Sequence, residues 1–346
     1  MDQRKTTNML LLALVIPVIF YLLHILKFIF IPLVFSMFIA LLFLPLMRWL
    51  QRKNVHKYLS IGIVLVIIIA ALKLGVDVIK LSSQEIMASD TQFFEKAETK
   101  ITDLVISIQE GLGMKQSESN PESIKDSLLN KDALMTNFGS TLGFLNKTLT
   151  MVLMTMFFVV LWLAESINVQ KLMHKTILKK KHAAIKAFRK IEKDLIKFIK
   201  VKFLVSLLTG IGTGLACVYF DVSFPIFWGF FAFIINFVQM VGSFIAVISL
   251  SIFALVELDP TSHLFFFVLA ITMVQVLFGA ILEPVFMGKS FSINIITVLV
   301  MLMFWGFLWG IPGLIMAIPI TVFFKIIFEQ FPSTKIVASI ISGSDN

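Results

Sequence analysis

Between Phe203 and Phe324 the chain runs 122 residues with only five charged side chains: Asp221, Glu257, Asp259, Glu283 and Lys289. A simple anchor needs about 20 unbroken apolar residues to cross ~30 Å of hydrocarbon, yet the apolar runs here are interrupted by Pro, Gly, Trp and Asn. An interruption at membrane depth frees backbone groups, which are tolerated only against protein or a water-filled cavity. Interrupted helices are where transporters build their binding sites, so this stretch predicts an all-helical integral membrane protein that moves a solute.

Composition agrees. Hydrophobic residues make up 58% of 346 and include 36 Phe, more apolar material than one soluble core needs. The lone cysteine, Cys217, lies in an apolar run and has no partner for a disulfide or a thiolate metal site. The first apolar segment, from Met9 to Leu23, follows Arg4 and Lys5 as a signal peptide would. It lacks a small-x-small cleavage site and carries Pro17, which predicts a retained helix. The net charge of +9 is local: residues 169–202 hold 12 Lys and Arg against Glu192 and Asp194. A basic cluster between membrane segments reads as an orientation signal that touches anionic headgroups, not as a nucleic-acid surface.

Candidate spans fall at 9–24, 26–46, 58–79, 148–168, 203–220, 224–256, 263–283 and 294–330, about eight crossings. The segments 224–256 and 294–330 are too long for one straight crossing at ~1.5 Å rise per residue and are expected to be broken or re-entrant. The chain thus divides into helices one to three (1–79), an extracytoplasmic helical insert (80–147), a fourth span (148–168), a basic cytoplasmic amphipathic helix (169–202), a C-terminal transport core (203–331) and a cytoplasmic tail (332–346). Arg4 and Lys5, the loop residues Arg48, Arg52, Lys53 and Lys57, and the dozen cations of 169–202 place those stretches on the cytoplasmic side of the membrane. Both termini are then cytoplasmic, and 80–147, with ten acids against seven Lys, lies outside. In that insert Ile101, Leu104, Val105, Ile108 and Leu112 form an apolar stripe, for packing within the chain or against another copy in a homo-oligomer. Ile185, Phe188, Leu195 and Ile199 give the basic segment an apolar face, expected to lie along the membrane surface.

Catalytic signatures are missing: there is no Walker A string, no H-E-x-x-H and no G-x-S-x-G, and the five histidines show no metal-ligand spacing. The sequence therefore predicts neither an enzyme nor a bound cofactor. Transport chemistry needs a polar cavity, a hinge and usually one group that exchanges a proton or cation. Glu283 is the candidate for the last role. It closes an apolar run and precedes Pro284, which is expected to push residue 283 out of helical geometry. An interfacial Glu held in headgroup water is the plainer alternative. Asn236, Gln239 and Ser243, with Gln275 further on, offer donors and acceptors to a neutral polar solute, or equally to neighbouring helices. Gly229, Gly242, Pro284, Gly310, Pro312 and Pro319 are the expected hinges and helix breaks. A faint repeat, Phe227-Trp228-Gly229-Phe230-Phe231 and Phe304-Trp305-Gly306-Phe307-Leu308, puts one copy in each overlong segment.

Longer strings are informative. Pro225-Ile226-Phe227-Trp228-Gly229-Phe230-Phe231-Ala232-Phe233-Ile234-Ile235-Asn236-Phe237 with Gly242-Ser243 is the first. Leu282-Glu283-Pro284 with Met287-Gly288-Lys289-Ser290 is the second, and Phe304-Trp305-Gly306-Phe307-Leu308-Trp309-Gly310-Ile311-Pro312-Gly313-Leu314 with Ala317-Ile318-Pro319 is the third. Their order and spacing resemble those of the autoinducer-2 exporter family of bacterial permeases. Where that family usually carries Pro three residues after the Asn, this chain has Gln239. The resemblance implies a secondary transporter with about eight spans and a soluble insert after the third. The family includes members associated with autoinducer-2 export and others described as sodium/proton antiporters. For a small hydroxylated solute the implied contacts are Asn236, Gln239 and Ser243; for a cation, Glu283. The expected function is export of a small polar solute coupled to a proton or sodium gradient, with cation/proton antiport and a membrane scaffold as alternatives.

Overall fold

The protein is seen in a computed structural model that describes residues 3–88, 141–172, 182–238, 241–258, 262–288 and 293–343, and every regular element among them is a helix. In order they are α1 (Gln3–Ile25), α2 (Lys27–Arg52), α3 (Lys57–Ala88), α4 (Thr141–Leu172), α5 (His182–Tyr219), α6 (Pro225–Ile235) and α7 (Val241–Glu257). Then α8 (Ser262–Gln275) runs through a π-helical segment (Val276–Leu282) into α9 (Glu283–Met287), followed by α10 (Ile295–Trp309), α11 (Ile311–Glu329) and α12 (Lys335–Ser342). Among the described residues, five stretches are long and apolar enough to cross a bilayer: Lys27–Arg52, Lys57–Leu81, Arg189–Tyr219, Ser262–Met287 and Ile311–Glu329.

Burial follows helical spacing. Ala40, Leu44 and Met47 of α2 meet Ile61, Val64 and Ile68 of α3 and Val159 and Leu163 of α4 in one core. A second core gathers Cys217, Phe220, Trp228, Leu250, Ala254, Phe267 and Ile271 from α5 to α8. The third joins α2, α5 and α9 to α10 and α11. The opposite faces are also apolar: Phe244, Ile248 and Ile252 on α7, and Ile296, Val300, Met303 and Phe307 on α10, are exposed at helical steps. Continuous exposed apolar rows are what hydrocarbon, not water, is expected to meet.

Both overlong segments are broken, as expected. In the first, α6 ends at Ile235 and the chain returns so tightly that a Cβ on Gly242 would lie 1.9 Å from the Ile235 carbonyl oxygen. In the second the break is at Gly310, with φ 67° and ψ −140°, a conformation that a Cβ makes costly. Gly313 then sits where a Cβ would be 1.9 Å from Trp305 O, and α10 and α11 pack closely on each other. Helix α1 holds the tip of this pair. His24 Nδ1 lies 2.9 Å from Leu308 O, and Trp309 Nε1 donates to Leu23 O at 3.1 Å. Each helix thus supplies a side chain to a carbonyl in the last turn of the other, where intrahelical partners run out.

Several expected boundaries differ. Helix α3 continues past residue 79 to Ala88, and α4 begins at Thr141 and runs past 168 to Leu172. The helices expected at 89–140 lie outside the described residues. No break separates the basic helix from the next span: α5 passes through 202 and 203 without interruption, because Leu195, Phe198 and Val205 continue one buried stripe. Within 332–346, the expected tail, residues 335–342 form α12, whose Ile341 carbonyl accepts from Asn294 N at 3.0 Å.

Candidate transport site

Helix α5 carries a polar stripe through its apolar stretch: Lys202, Ser206, Thr209 and Thr213 follow at steps of four, three and four, and all are buried. Such steps keep side chains on one helix face. Thr209 and Thr213 donate to the carbonyls of Val205 and Thr209 one turn back, both at 2.9 Å. Lys202 and Ser206 reach other helices instead.

Lys202 Nζ lies 3.0 Å from both carboxylate oxygens of Glu283, and the residues are 3% and 4% exposed. A symmetric, hydrogen-bonded pair offsets much of the several kcal/mol each ion loses on leaving water. One turn earlier, Lys197 donates to the Met287 carbonyl at 2.9 Å, a cation at the C-terminus of α9. Glu283 is thus held by a buried partner rather than by water.

The expectation that Pro284 pushes residue 283 out of helical geometry is corrected. Glu283 has φ −57° and ψ −53°, and its N–H bonds back to Phe278 O, five residues away. The constraint is absorbed upstream, since the wider i→i+5 turn relieves the clash a proline ring makes with the preceding turn. It also sets where Glu283 points. Phe267, Ile271, Gln275, Glu283 and Met287 are all buried and fall on a four-residue grid. In an uninterrupted α-helix four-residue steps precess by about 40°, so this set would wind through about 200°. The extra residue of a π-turn takes back about 100° and leaves the set on roughly one face.

Other sequence candidates are distributed around this pair. Asn236, 3% exposed at the end of α6, donates through Nδ2 to Ser206 Oγ at 3.0 Å, one turn along α5 from Lys202. Ser243, in the first turn of α7, faces the π segment: a Cβ on Gly279 would meet only its hydroxyl, at 3.7 Å. Gln275 closes α8, 7% exposed, and its Oε1 has no hydrogen-bond partner. Gln239 lies outside the described residues. The structure therefore groups Glu283, Asn236 and Ser243 around α5 and the π segment, with Gln275 two four-residue steps from Glu283 on the same helix.

The hinge candidates separate. Gly242 and Gly310 mark the two returns, and Pro312 occupies the second position of α11, where no N–H partner is needed. Pro319 is buried inside a continuous α11. Gly229 lies within an unbroken α6 and is pressed against α5, where its Cβ would meet Gly210 O at 2.8 Å. Lys202 and Ser206 were missed because Lys202 counts as the last cation of the basic run. Its four-three-four spacing with Ser206, Thr209 and Thr213 was the available signal. Lys325 is buried in α11 with Glu329 Oε1 3.4 Å away.

Comparison with known proteins fits this arrangement. A family profile described as "AI-2E family transporter" matches residues 10–333. A "putative transport protein" of Borreliella burgdorferi is 35% identical over 162 residues, 46% of this chain and 45% of that protein. A "putative transport protein" of Haemophilus influenzae is 25% identical over 91% of this chain and 90% of its own length. "AI-2 transport protein TqsA" of Escherichia coli is 24% identical over 90% and 89%. With broken helices, a buried ion pair and a match over nearly its whole length, the chain belongs to the AI-2E family of transporters.

Proposed function

We propose that the protein is a secondary-active transporter of the bacterial inner membrane that exports a small polar solute of the autoinducer-2 type, coupled to a proton or sodium gradient. The observation that carries this reading is the buried Lys202–Glu283 pair beside the π segment. A charged side chain at membrane depth costs about 2.5–3.5 kcal/mol even on insertion scales, and such groups mark ion and solute pathways. Ser243 and Gln275 supply uncharged hydrogen-bonding groups near the same π segment, suited to hydroxyls. The broken pairs α6–α7 and α10–α11 supply elements that move relative to α5. The distribution of Lys and Arg favours cytoplasmic termini, with the cations of 169–202 against anionic headgroups. Nothing in this chemistry calls for an enzyme activity or a bound cofactor.

The test is internal pH in proteoliposomes holding an imposed proton gradient. A pH change on adding autoinducer-2 supports proton-coupled export. A change with sodium chloride alone replaces export by cation/proton antiport. No response to either probe overturns the transport reading in both forms and favours a membrane scaffold.

A further inference from the structure

A buried carboxylate that binds a coupling ion poses a problem when the ion has left: the ion-free carrier must cross with its solute and a bare charge in a medium that does not tolerate one. The geometry around Glu283 contains an answer. Lys202 Nζ sits 3.0 Å from both oxygens, so the pair is already neutral with no mobile ion present. The ammonium is carried by a flexible four-carbon stem on α5, and the cations Lys193, Lys197 and Lys200 occupy the turns before it. A lysine near such an end can slide its charge toward water while its stem stays buried.

We infer that Lys202 is the internal counter-ion of Glu283 in the ion-free carrier, displaced by the coupling cation when the ion binds; this rests on the transport reading above. In the ion-free state Glu283 and Lys202 neutralise each other and the site crosses with its solute alone. In the loaded state the mobile cation neutralises Glu283, and the Lys202 ammonium, still protonated, moves toward the basic end of α5. Among the described residues, Lys202 is the cation on the carboxylate: Lys197 is engaged with the Met287 carbonyl, and Ser206 and Asn236 bond to each other. A bridge serving only to fasten α5 to α9 makes different predictions.

The experiment compares K202M and the K202M/E283Q double variant with wild type in proteoliposomes. Two rates are read with labelled autoinducer-2 and, separately, with radioactive sodium: net flux driven by a proton gradient, and tracer exchange with equal concentrations on both sides. Sodium exchange needs only the ion-loaded carrier, whereas net flux also needs the ion-free one to cross. K202M is expected to lower net flux at least tenfold relative to sodium exchange. The double variant is neutral whether loaded or empty, keeps both side-chain volumes, and is expected to give downhill flux that ignores the imposed gradient. Equal loss of net flux and exchange in K202M, or gradient-driven accumulation by the double variant, overturns the inference and leaves a structural bridge. Wild type that moves neither probe overturns the transport reading and this inference with it.

Discussion

Asn236 donates its amide to Ser206 Oγ at 3.0 Å, and both side chains are buried. A residue suited to a polar solute is thus held first by a neighbouring helix. Ser206→Ala removes the acceptor and leaves a buried amide donor with no place to go. Hydrogen bonds between membrane helices are worth about 0.6 kcal/mol on average and up to ~1.7, so the unfolding transition in detergent should fall by that order. An unchanged transition together with weakened solute binding would instead make the cargo the main partner of Asn236.

Gly229 and Gly210 define how closely α5 and α6 approach. A Cβ on Gly210 would lie 2.7 Å from Gly229 O and 2.8 Å from the Phe233 Cβ. Gly229→Ala is therefore expected to destabilise by about 1–3 kcal/mol, the usual cost of overpacking. Gly62→Ala in α3 is the control: no atom lies within 4 Å of its Cβ position, and alanine favours a helix by up to ~1 kcal/mol. Thermal unfolding of the two variants should shift in opposite directions.

Gly310 and Gly313 separate two ways of making a return. At Gly310 there is open space but the backbone has φ 67°, so Gly310→Ala costs strain alone, about 1–3 kcal/mol. At Gly313 the Cβ would collide with the Trp305 carbonyl oxygen at 1.9 Å, backbone that cannot turn aside. The first variant should purify with a lowered transition, and the second should fail to yield monodisperse protein in size-exclusion chromatography.

Trp309→Phe keeps an aromatic ring but deletes the donor to Leu23 O together with half of a buried indole. The expected loss is at least about 0.5–1.5 kcal/mol, the net worth of a typical hydrogen bond, with a cavity cost added. It should be non-additive with His24→Phe, because both contacts join the same two helix ends. Strict additivity in a double-mutant cycle would mean that α1 does not act as one clasp.

The breaks at Gly242 and Gly310 were legible because each depends on what a residue does to its own backbone. Family membership was legible for a related reason: the strings from Pro225 to Ser243 and from Phe304 to Pro319 contain these turns. Lys202 was not, since its partner is 81 residues away and the charged residues just before it, Lys197 and Lys200, are other cations. The unbroken α6 at Gly229 was misread because a helix glycine looks alike in sequence whether it bends the chain or admits a neighbour. The π segment escaped for a further reason. Pro284 announces a disturbance, but whether helix end or widened turn relieves it depends on α5 being there to receive Glu283.

The extra residue in Val276–Leu282 can also be viewed as a dislocation in an otherwise regular helix. Pro284 holds the defect in place, because a regular turn before it would meet the proline ring. The defect then acts as a fixed phase shift, setting Glu283 and Met287 about 100° back relative to the helix before it. A single proline thus decides which way the far end of this helix faces.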